Sequence, residues 1–69
     1  MKVVQCKLSQ GPRQLVCWLD QRPDLKDGVY VTLKDTSEPT ARWKVSSVGQ
    51  NAMEKAEIPR HGVFFESDI

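Results

Sequence analysis

Several chemical signatures are missing from this 69-residue chain, and each absence removes a class of function. No apolar stretch approaches the roughly 20 residues that a membrane helix needs. The start, Met1-Lys2-Val3-Val4, lacks the apolar run of a secretory leader, so cytoplasmic residence with no membrane partner is the expectation. The single histidine, His61, reads as a surface or tail-packing residue rather than a catalytic base. None of Ser9, Ser37, Ser46, Ser47 and Ser67 stands in a nucleophile motif. Gly28 and Gly49 form neither a phosphate-cradling loop nor a dinucleotide fingerprint. Asp20, Asp24 and Asp27 share one connection without the ligand spacing of a calcium loop. No catalytic residue, cofactor or metal site is assigned, and the chain is expected not to be an enzyme.

An excess of one charge is also missing: ten Lys and Arg face nine Asp and Glu, which is weak support for nonspecific nucleic-acid binding. The distribution is less even than the sum. Residues 1–19 carry Lys2, Lys7 and Arg13 and no acid, whereas residues 45–69 set Lys55 and Arg60 against Glu54, Glu57, Glu66 and Asp68. Such polarity can orient a partner. Cysteine is scarce too. With only Cys6 and Cys17, and His61 far along the chain, a metal site lacks ligands and a disulfide runs against the expected compartment, so two reduced core thiols are expected.

What is present is β pattern. Around Gly11-Pro12 the apolar residues mirror one another: Leu8 falls opposite Leu15, Cys6 opposite Cys17 and Val4 opposite Leu19. This predicts a hairpin with strands over about residues 3–8 and 14–19. Proline is unfavourable at the second central position of a common turn, so the pattern predicts a loop of about four residues. Val29 to Lys34 alternates as a third strand, and Arg42 to Val48 as a fourth, with Trp43 and Val45 inward and a bulge near Ser46-Ser47 returning Val48 to that face. Asn51 to Ile58 carries a capping signal for a short helix, Asn51 with Glu54 three residues on. Val63-Phe64-Phe65 is expected to add an edge strand, close a barrel or pack on the sheet.

The predicted fold is mainly β: one small domain over residues 1–69, an antiparallel SH3-like or partly open β-barrel with a short C-terminal helix. Residues 50–69 are read as an extension packing onto the sheet. A chain this short has a thin core, and tail packing or self-association is expected to matter for its stability.

Three functions fit these residues. The first is an accessory or protein-interaction module using Lys7, Trp18 and Tyr30, where an aromatic beside polar and basic groups anchors a partner. The second is a small barrel binding single-stranded nucleic acid through Lys7, Arg13, Trp18, Lys34, Arg42 and Lys44. The third is a structural homodimer component. Trp18 also has a purely structural reading, in which Phe64 or Phe65 covers it and makes a second core; Trp43 reads as core from its alternation with Val45.

Val4-Gln5-Cys6-Lys7-Leu8, then Cys17-Trp18-Leu19, then Trp43-Lys44-Val45 and Val48-Gly49, together with Leu25-Lys26-Asp27-Gly28 and Val31-Thr32-Leu33-Lys34-Asp35, form a pattern that resembles short uncharacterised bacteriophage or prophage proteins. The resemblance covers about residues 4–49. It implies an origin and no established activity or catalytic residue.

Overall fold

The computed structural model describes residues 2–68 as one five-stranded antiparallel sheet. Its strands are β1 (Lys2–Gln10), β2 (Arg13–Asp20), β3 (Tyr30–Leu33), β4 (Arg42–Glu54) and β5 (Ser67–Asp68), in spatial order β2-β1-β4-β3-β5. Among the described residues no helix is long and apolar enough to cross a membrane. The mainly β class therefore stands, with the strand pairing leaving β2 and β5 as the edges of an open sheet.

The hairpin has the register that the apolar mirror predicts, Val4↔Leu19, Cys6↔Cys17 and Leu8↔Leu15. Its turn differs. Gln10 pairs directly with Arg13, so Gly11-Pro12 is the whole connection rather than the middle of a four-residue loop. Gly11 has φ of 60°, the positive value that the first central position of a type II′ turn requires. The second central residue of that turn keeps a negative φ, which a proline ring accommodates.

On its other side β1 pairs with β4, and two irregularities adjust the match. Leu8 faces Val45 while Lys7 faces Ser47, so Ser46 is the extra residue of the expected bulge and Val48 turns back to the inner side. The second lies between Val4↔Ala52 and Cys6↔Val48. Here β4 passes so close to β1 that a Cβ on Gly49 would sit 2.9 Å from the Gln5 carbonyl oxygen.

The helix expected over Asn51–Ile58 is replaced by strand. Asn51 to Glu54 continue β4, with Ala52, Met53 and Glu54 paired to Val4, Val3 and Lys2, and only Lys55–Glu57 coil, as one 3₁₀ turn. An isolated helix of about eight residues is marginal in water, and pairing with a central strand outweighs its cap.

The inner face buries Val4, Cys6, Leu8, Cys17, Leu19, Val31, Leu33, Trp43 and Val45 in one cluster. Leu25, from the otherwise polar connection between β2 and β3, joins them, and Phe65 packs at the margin.

The tail links the two edges of the sheet. Trp18 N–H donates to the Val63 carbonyl (2.8 Å), Phe65 N–H donates to the Trp18 carbonyl (3.1 Å), and Phe64 forms a parallel bridge to Trp18. Two residues on, Lys34 N–H donates to the Glu66 carbonyl (2.9 Å) and β5 pairs with β3. Arg22 Nη2 adds a bond to the carbonyl of buried Ser67 (2.9 Å). Trp18 lies on the outer side of β2 but is 8% exposed, because the tail covers it.

This covering predicts a sensitive position. A Cβ on Gly62 would lie 2.7 Å from both Trp18 Nε1 and Ile58 Cγ2, so Gly62→Ala must push the tail off the indole. We expect a loss of about 1–3 kcal/mol and red-shifted tryptophan emission. An unchanged thermal midpoint with unchanged emission would show that the tail is not packed this way.

Candidate functional site

The outer face of the sheet follows from the same alternation that fills the core. Lys7 and Ser9 on β1, Arg42 and Lys44 on β4, and Tyr30 and Thr32 on β3 all point away from the apolar cluster. Register places them side by side. Ser9 is opposite Lys44, Lys44 opposite Tyr30, Thr32 opposite Arg42, and Gln14 of β2 opposite Ser9, so one row crosses four strands. Arg42 and Lys44 stand about 6.7 Å apart along β4, with Lys7 one strand over.

Tyr30 is 57% exposed, the only aromatic among the exposed large hydrophobics of the described residues. Beside it lies a shallow hollow of about 300 Å³ lined by Tyr30, Val31, Thr32, Arg42 and Asp68. The Thr32 hydroxyl donates to the Asp68 carbonyl at 3.4 Å, which orients the hollow's edge. Lys7, Arg42 and Lys44 make no ion pair among the described residues. Asp68 is the one carboxylate on this rim.

Other residues expected at a site are placed elsewhere. Trp18 is under the tail and outside the open face. Arg13 sits at the end of the hairpin, 3.7 Å from Glu38, 2.9 Å from the Gln10 side-chain oxygen and 5.2 Å over the Trp43 ring. Lys34 pairs with Glu66 at 3.8 Å. These exposed pairs add little stability, but each cancels a positive charge locally. Thus Tyr30, Arg42 and Lys44 are neighbours, Lys7 shares their face two residues along β1 from the partner of Lys44, and Arg13, Trp18 and Lys34 do not join them. Thr32 belongs to the hollow as well, and its position two residues from Tyr30 on the same strand was the signal for it.

Cys6 and Cys17 are free, buried thiols at directly paired positions. Burial pushes the Cys6 thiol up to about 11; burial, with a smaller contribution from Cys6, pushes Cys17 up to about 12. Both are held as neutral thiols at neutral pH, which is the opposite of a reactive thiolate. Below the ordinary value of 9.0 the stability these thiols confer is fully present, and it is lost as pH rises toward 11–12, because the unfolded chain releases protons that the fold retains. We expect denaturation midpoints that fall above about pH 9. Native protein should react slowly with a thiol reagent at neutral pH, and both thiols should react rapidly once unfolded. Fast native labelling would contradict their burial.

No protein-family model, no curated protein and no solved structure matches the chain.

Proposed function

We propose that the chain is a noncatalytic module that binds single-stranded nucleic acid on the outer face of its sheet. The observation that carries this reading is that Lys7, Arg42 and Lys44, unpaired by acids among the described residues, share one face of the sheet with the exposed ring of Tyr30. Phosphates are attracted by the three cations whatever the base sequence, while a base stacks on the tyrosine face. The hollow between Tyr30 and Arg42 seats that base, with the Thr32 hydroxyl and Asp68 at its edge. In this reading the curled sheet, tied at both edges by the tail, acts as a partly open small barrel of the SH3-like kind, and β3 and β4 supply its binding strands.

Near-zero net charge does not oppose this. At physiological salt, exposed charges farther apart than about 8 Å are largely screened, so a phosphate responds to the cations beneath it rather than to acids on the far side. Fluorescence anisotropy with labelled mixed-sequence single-stranded DNA and RNA is the test. Three phosphate contacts give a slope of about −2 in log affinity against log salt. Tyr30→Ala should weaken binding by about 5- to 150-fold, and Arg42→Ala should lower the salt slope by about 0.7. These side chains are exposed, so both variants should melt with the wild type. Absence of saturable binding at low salt, or affinity indifferent to both substitutions, would overturn the reading.

A further inference from the structure

The edge of β2 is only half covered. Trp18 turns its N–H and carbonyl away from β1 and spends both on the tail, the N–H donating to the Val63 carbonyl and the carbonyl accepting from the Phe65 N–H. Strand alternation points the backbone groups of Val16 and Gln14 the same way. Among the described residues these have no backbone partner. The stretch from Gln14 to Val16 also has no bulge and no charged side chain, and Val16 is apolar and 50% exposed. Beside it, between β2 and the connection from β3 to β4, opens a second hollow of about 280 Å³ floored by Leu15 and Trp43, with Thr36 and Ser37 on its wall. The Arg13–Glu38 ion pair stands at its rim, with both side chains more than half exposed.

We infer that this edge binds an extended peptide of another protein by strand addition, and that the hollow receives one of its side chains. The footprint is three residues. Two residues, lying opposite Gln14 and Val16, exchange up to four backbone hydrogen bonds with β2, and the residue between them points the way Leu15 points, into the hollow. The chemistry required is an apolar side chain flanked on both sides by residues that keep their N–H groups, hence not proline. The tail already adds to the same edge at Trp18, so the peptide continues an interface the chain makes with itself.

A second copy of the chain fits less well. Two-fold antiparallel pairing with Gln14 opposite Val16 would set Pro12 opposite the second copy's Trp18, a place that copy's Phe64 already occupies. Sliding the pairing to avoid the tail sets Pro12, which has no N–H, opposite Val16.

The inference goes beyond the nucleic-acid reading and uses none of its residues. Its test is a random-peptide display library panned on the full chain, followed by NMR titration of the most enriched peptide. The expected consensus is an apolar residue without adjacent proline, with shifts centred on residues 13–16 and 36–38. N-methylating the peptide at the two flanking residues should abolish binding. Val16→Pro should weaken it about tenfold with little change in thermal midpoint, since that N–H is unpaired in the free fold. Tyr30→Ala should leave peptide affinity unchanged, which separates this site from the outer face. Failure to enrich any sequence, shifts centred elsewhere, indifference to N-methylation, or the same shifts produced by raising protein concentration alone would each overturn it.

Discussion

Backbone hydrogen bonds from the tail to β2 on one side and to β3 on the other are the constraint on which the rest of this small protein depends. A domain of 69 residues is stable by roughly 3–10 kcal/mol, and each such bond contributes about 1 kcal/mol net. Three of them, two at Trp18 and one at Lys34, precede the short β3–β5 ladder, so the tail supplies a sizeable part of the total. It also covers the indole of Trp18 and brings Phe65 to the margin of the core. Without it, β2 would present an apolar aromatic and a full open edge to water.

The same constraint divides the surface. Where the tail lies, β2 is sealed; where it departs, beyond Val63, the edge at Val16 and Gln14 stays open. The acidic residues are drawn to the periphery in the same way. Glu38 meets Arg13 at the tip of the hairpin, Glu66 meets Lys34 beside β5, and Glu54 meets Lys2 at the far end of β4. Lys7, Arg42 and Lys44, in the middle of the outer face, are left to themselves. A chain with almost no net charge therefore carries a local basic patch.

Legibility of the fold tracked the range of the interactions involved. The hairpin register was readable because a period of two fixes which residues share a face, and Leu8, Cys6 and Val4 admit only one mirror. The bulge at Ser46 was readable for the same reason, since Val48 needed it to reach the core. The turn was not legible from the disfavour for proline alone, because the positive φ of Gly11 changes the turn type. The helix over Asn51–Ile58 was suggested by a cap, a signal of four residues. It lost to pairing with β1 some fifty residues earlier, which leaves no local trace. At the candidate site, Lys7, Tyr30, Arg42 and Lys44 were legible as outward positions of their strands, and Trp18 looked equivalent because the same alternation placed it outward.

By itself, then, the sequence determined β1, β2, β3 and the first part of β4, their inner faces and the pairing of β1 with β2, because each depends on alternation and on neighbours close along the chain; it did not place β5, which forms at Ser67–Asp68 rather than at Val63–Phe65. Only the tertiary structure decided that Trp18 is buried, that Arg13 and Lys34 are neutralised, that β4 runs on through Glu54, and that part of one edge stays open. Apart from the Arg13–Glu38 pair, which the connection between β3 and β4 supplies, those outcomes turn on where residues 51–68 meet strands formed much earlier in the chain. Contacts of that span are set by the closing of the whole sheet and not by any local pattern of residues.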